Sequence, residues 1–79
     1  MVSKKKFNTI SELQKVQLLA TQCPSEVGLH SEDGETIIDA KSYIGMYALD
    51  FDRPILVVSE DEEFHKKIEG IGENLPLED

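Results

Sequence analysis

Leu13, Val16, Leu19, Ala20 and Cys23 recur at helical spacing, and Pro24 stops the run abruptly. Side chains three and four apart share one face of a helix, and the residue before a proline is pushed out of helical geometry. The chain therefore contains a helix with a single apolar stripe, and some other element has to cover that stripe. Three strand-like segments can do so. Val27 and Leu29 alternate with polar neighbours, Thr36 to Ala40 is rich in β-branched residues, and Ile55-Leu56-Val57-Val58 is the strongest strand pattern present. Between the first two lies Glu32-Asp33-Gly34-Glu35, a turn in which Gly34 can take a positive φ. Those two segments read as a hairpin.

The remaining elements follow from weaker signals. Lys5 to Ile10, with Phe7 and Ile10 among polar residues, is a first strand. Ser11-Glu12-Leu13-Gln14 has the form of a capping box that opens the helix. Ser42 can cap a short second helix carrying Ile44, Met46, Tyr47 and Leu49, with Met46 and Leu49 spaced to face the core, and Phe51 to Pro54 then forms a loop. Ser59-Glu60-Asp61-Glu62 is a second capping box, and Lys66-Lys67 suit the negative end of the helix that follows. Phe64, Ile68 and Ile71 form its buried stripe, and Gly70 and Gly72 end it. The predicted order is βαββαβα. It gives a two-layer α+β open-faced sandwich, a four-stranded antiparallel sheet with three helices on one face. Residues 1–74 make a single domain, and 75–79 a flexible acidic tail.

With 79 residues the chain has room for one small core, and a domain this size buries only about 60% of its unfolded surface. Its lone cysteine, Cys23, cannot form an internal disulfide, and no cluster of metal-ligand spacing is present. The net charge of −8 disfavours nucleic acid and anionic lipid as partners. Within that acidity Lys4-Lys5-Lys6 is expected to be a solvated edge strand or a frayed terminus rather than a nucleic-acid arm. No apolar run approaches the roughly 20 residues of a membrane span, and no apolar segment follows the N-terminal lysines as in a signal peptide. The expectation is a small cytoplasmic protein.

Ile38-Asp39-Ala40-Lys41-Ser42-Tyr43-Ile44-Gly45-Met46-Tyr47-Ala48-Leu49 resembles the segment of HPr, the histidine-containing phosphocarrier of the bacterial sugar phosphotransferase system, that runs from third strand into second helix. The lysine–serine pair, the glycine three residues later and the closing leucine all match, and Asp52-Arg53-Pro54 before an aliphatic strand continues the similarity. The likeness is specific from about Thr36 to Val58; before Gly34 it rests on element order. HPr proteins carry phosphate on a histidine that opens the first helix, within a motif reading glycine, aliphatic, histidine, alanine, arginine, proline. Asn8-Thr9-Ile10-Ser11-Glu12 stands there instead, without histidine, arginine or proline, and the strand runs almost directly into the helix. Thr9 and Ser11 read as capping residues rather than substitute acceptors. Gly28-Leu29-His30 copies three letters of the motif but leads into a turn, so His30 is expected at a strand end on the surface. His65, among Glu62, Glu63, Lys66 and Lys67, is expected to be a solvated helix histidine.

By the resemblance, Ser42 occupies the position of a regulatory serine phosphorylated by a dedicated kinase in many HPr proteins of Gram-positive bacteria. A phosphate there adds about −1.5 to −2 charges. Serine is equally a preferred helix cap, and the two roles are compatible. Tyr43, Ile44 and Tyr47 fall on the side of that helix which, in HPr, forms an apolar patch meeting enzymes, the kinase and a transcriptional regulator. Packing against a loop explains them as well.

The resemblance thus implies a regulatory or adaptor HPr-like protein that works by protein contact, with no cofactor, no metal and no enzyme activity of its own. Its partners would be phosphotransferase-system enzymes, an HPr kinase or a catabolite regulator. The alternatives are a phosphocarrier using a non-standard acceptor, for which His30 is the candidate, and a small interaction module unrelated to sugar transport. No nucleophile–base pair is visible in the sequence.

Overall fold

In the computed structural model, residues 1–42, 45, 49, 50 and 52–77 are described. The described elements are β1 (Val2–Lys6), α1 (Ile10–Gln22), β2 (Gly28–Ser31), β3 (Ile37–Asp39), β4 (Ile55–Val58), α2 (Glu62–Lys67) and β5 (Glu73–Leu75). They form a small α+β unit with one five-stranded sheet in the order β3-β2-β4-β1-β5. Every pairing is antiparallel. Four strands and three helices were expected. The extra strand, β5, lies where a loose tail was predicted, and Leu75 belongs to it rather than to a tail. The predicted second helix falls largely on residues 43, 44 and 46–48, outside the described residues, as does Met46 with its predicted core position. Glu78 and Asp79 lie outside them too.

The register divides the sheet into two faces, because directly paired residues share a face. One face carries the row Ser3–Val57–Leu29–Ile38 and the row Asn74–Lys5–Ile55–Ser31. Leu29, Ile55 and Val57 join Leu13, Val16 and Ala20 of α1 and Phe64 of α2 in a single core cluster, to which Phe7, Cys23, Val27, Ala40, Leu49 and Ile68 also belong. The helical stripe is thus buried as its spacing predicted. The opposite face carries Leu75–Lys4–Leu56–His30–Ile37 and Val2–Val58–Gly28–Asp39. Its outermost aliphatic, Ile37, is 65% exposed.

Both predicted helix starts shift by two residues. Thr9, not Ser11, caps α1: its Oγ1 accepts the Glu12 N–H at 3.3 Å, while Glu12 Oε1 accepts the Asn8 N–H at 2.7 Å. The hydrogen bond from Asn8 is the main reason the Glu12 carboxyl is held below its ordinary range. Asp61, not Ser59, caps α2 and accepts the N–H groups of Glu63 and Phe64. It also accepts the Cys23 thiol at 3.2 Å, which ties the end of α1 to the start of α2 and holds the Asp61 carboxyl below its usual range. At the hairpin, Gly34 has φ 77° as its turn requires, and Ser31 Oγ both donates to Asp33 Oδ1 and accepts the Thr36 N–H.

The lysine-rich first strand is the largest departure from the sequence reading. β1 is an interior strand, paired on one side with β4 and on the other with β5. Lys5 is fully buried and donates from Nζ to Asn74 Oδ1 at 2.5 Å, and Lys4 pairs with Glu32 at 3.0 Å. Burial lowers the Lys5 amine below the ordinary lysine range, against the opposing pull of Glu69 and Glu12. Strand β5 reaches its place through Gly72, whose φ is 72° and whose position leaves no room for a Cβ: one would lie 2.9 Å from both Lys6 O and Phe7 Cδ1.

Two outcomes follow. Gly72→Ala should cost about 1–3 kcal/mol, read as a lowered urea midpoint, and should weaken protection of β5 amides first. The depressed Lys5 pKa means that the folded state sheds this proton before the unfolded chain does. Stability relative to Lys5→Met should therefore rise with pH through the alkaline window that ends near the free-lysine value of about 10.4. A stability difference that stays flat across that window would show that Lys5 titrates alike in both states.

Candidate functional site

Three places carry groups able to do chemistry: the turn at Ser42, the buried imidazole of His65 and the sheet face around His30. The Ser42 turn is built by Asp39. Its carboxylate accepts the Lys41 N–H at 2.9 Å and its carbonyl accepts the Ser42 N–H at 2.9 Å, so the chain turns as it leaves β3. Ser42 is exposed, and its Oγ accepts the Gly45 N–H at 3.1 Å. That is the geometry of an N-cap, with the hydroxyl aimed at the amide three residues on. A Cβ at position 45 would lie 3.0 Å from the Ser42 Oγ, which gives the glycine three residues after the serine a packing reason. The Ser42 hydroxyl thus has a backbone donor three residues on, and the helix it was expected to cap lies outside the described residues. Tyr43, Ile44 and Tyr47, the predicted contact residues, lie outside the described residues.

His65 is not a solvated helix histidine. It is 6% exposed, and both ring nitrogens are engaged: Nδ1 lies 2.6 Å from Ser3 Oγ, and Nε2 lies 2.9 Å from the Ser59 carbonyl. A carbonyl can only accept, so Nε2 carries a proton, and in the neutral ring Nδ1 accepts from the Ser3 hydroxyl. Helix α2 is thereby pinned to β1 and to the end of β4 by one side chain. Sequence reading found no nucleophile–base pair, yet the fold brings one together. Residues 62 apart in the chain gave no local spacing to detect. With the ring buried and both nitrogens occupied, the pair works as a staple between layers.

His30 lies within β2 on the uncovered sheet face and is half-buried. Its ring makes no hydrogen bond with the described residues. Its ring leans over Gly28, where a Cβ would come 3.1 Å from Nε2. Acid surrounds the hairpin end beyond it, where the Ser31 hydroxyl is the main reason Asp33 is held below the ordinary carboxylate range. Between β1 and α1 the connection is only Phe7 to Thr9, with the Thr9 cap in it and no imidazole. Among the described residues no group of three or more His, Cys, Asp or Glu side chains could hold a metal ion, and no helix is long and apolar enough to cross a membrane.

No family model matches this chain, and none of the curated proteins or solved structures does either. The reading of function therefore rests on the residues themselves.

His65→Ala should be the costlier of two changes, removing packing and orphaning the Ser3 hydroxyl and Ser59 carbonyl, at about 2–4 kcal/mol. Ser3→Ala should cost about 1 kcal/mol. Urea denaturation of the two single variants and the double variant measures their coupling. Strictly additive effects would mean that the two side chains are not a unit.

Proposed function

We propose that this protein is an HPr-like module, related to the phosphoenolpyruvate-dependent sugar phosphotransferase system, that acts by protein contact and does not carry phosphate on histidine. Its switch is the hydroxyl of Ser42. The observation that carries this reading is the pairing of an accessible serine cap with the lack of a usable imidazole at the start of α1. Ser42 is exposed and already directs its oxygen at a backbone N–H, where a phosphoryl group would find a donor and add negative charge without rebuilding the turn. Neither histidine is suited to the carrier role: His65 is buried with both nitrogens bonded, and His30 sits on the face away from α1. The order β1-α1-β2-β3, then β4 and α2, supports the element order from which the resemblance was drawn, with β5 as an added strand.

In the switching step the Ser42 oxygen would take the γ-phosphoryl group of ATP from an HPr kinase, releasing ADP and the hydroxyl proton. The modified turn, with Tyr43, Ile44 and Tyr47 beside it in sequence, would then be read by a catabolite regulator or a phosphotransferase-system enzyme. Two parallel labelling reactions test this. With ATP and an HPr kinase, acid-stable phosphate should enter the chain and be lost in Ser42→Ala. With phosphoenolpyruvate and the first enzyme of the phosphotransferase system, no label should enter. Acid-labile phosphate that disappears in His30→Ala would instead establish a carrier with a non-standard acceptor. Failure of both reactions, together with no regulator binding by Ser42→Asp, would leave an interaction module unrelated to sugar transport.

A further inference from the structure

At the end of the sheet where β2 and β4 pair, the uncovered face sinks into a hollow of about 620 Å³. In the row Val2–Val58–Gly28–Asp39 the glycine contributes no side chain, and the His30 ring takes that place, its Nε2 3.1 Å from where a Cβ would lie. The imidazole of His30 leans into this space, and Val58 and the exposed Ile37 supply aliphatic walls. The volume lies in the range of roughly 300–1,000 Å³ usual for binding pockets. At the margin stand Glu26, Asp39 and Glu60, all exposed, with no Lys or Arg among the lining residues. None of the three has an ion-pair partner among the described residues.

We infer that this hollow is a docking groove for an extended basic segment of a partner protein, an aliphatic side chain lying against Val58 and Ile37 beside the His30 ring, between Lys or Arg residues that meet Glu26, Asp39 and Glu60. Charge selects the occupant. The protein's net charge of −8 attracts a basic partner and orients it on approach, and guanidinium or ammonium groups fit a carboxylate rim. A second copy of this chain is a poor occupant. Its rim would meet another acidic surface, and its own run of lysines is already committed: Lys5 is buried on Asn74, Lys4 is paired with Glu32, and Lys6 donates to the Phe7 carbonyl. The groove is on the face opposite the helices and meets the Ser42 turn at Asp39, while Glu26, Glu60 and the aliphatic walls lie apart from that turn.

The test uses the full chain, isotope-labelled, in amide-resolved NMR titrations with an acetylated peptide Lys-Leu-Arg-Val-Lys. The matched peptide with Glu at each cationic position serves as control, and spermidine as a small-cation arm. Shifts should concentrate at Gly28, His30, Asp39 and Val58 with the basic peptide, weaken with salt and be absent with the acidic one. The double variant Glu26→Lys/Glu60→Lys, with an unchanged urea midpoint as its fold check, should bind about tenfold more weakly. The inference is overturned if shifts are missing at these amides or spread evenly over Glu62, Glu63 and Glu69. Unchanged affinity in the double variant, or spermidine matching the peptide, also overturns it. So do concentration-dependent shifts at the same amides without peptide, which would assign the groove to a second copy.

Discussion

A single hydrogen bond from the Lys5 ammonium to the Asn74 amide oxygen makes the centre of this sheet tolerable. A fully buried cation without a partner costs several kcal/mol after relaxation, and strand β1 puts one in the same row as Ile55. Asn74 satisfies it from the neighbouring strand, and its own amide donates back to the Glu69 carbonyl at 2.9 Å. Strand β5 is therefore more than an extra edge: it carries the group that lets β1 be interior. With β1 in place, Ser3 reaches His65, and α2 is fixed over the core. The closed side of the molecule follows from this one polar contact between strands.

The strongly patterned parts of the chain were legible. The α1 stripe, the hairpin turned at Gly34 and the β4 run all fold as their periodicity directs, because side-chain burial alone decides them. What escaped was settled by polar groups. Three consecutive lysines read as solvent-exposed, since nothing local announces an asparagine 69 residues away as a partner for the middle one. Glu73-Asn74-Leu75 has no strand signature, and only the open side of β1 makes it one. Both caps shifted because serine, threonine and aspartate were each available within two residues, and propensities do not rank them sharply enough. His65 was misread because its neighbours in sequence are charged while its neighbours in space are two serines.

At the candidate site the balance differs. The glycine three residues after Ser42 was recognised as part of a family-like pattern, and what the fold adds is that a Cβ at position 45 would lie only 3.0 Å from the serine oxygen. The two sheet faces divide the labour: one is covered by helices and packed, the other carries half-buried Leu56, Val58 and Leu75 among polar and exposed residues, with Gly28 beside Val58. No periodicity separates Gly28 from any other strand glycine. Only the fold, which sets it between Val58 and Asp39 and under the imidazole of His30, shows that its missing side chain makes room for that ring.

The position of β1 in the sheet order also has a consequence for synthesis. Strand β1 is made well before both of its neighbours in the sheet, and its buried lysine waits for an amide 69 residues downstream. Until β4 and β5 emerge, the nascent chain can form α1 and the β2–β3 hairpin but has no neighbour for β1. Contacts of such long span slow folding. During translation the three lysines therefore remain hydrated on an unpaired segment, and their charge protects from misassociation a strand that ends up in the middle of the sheet.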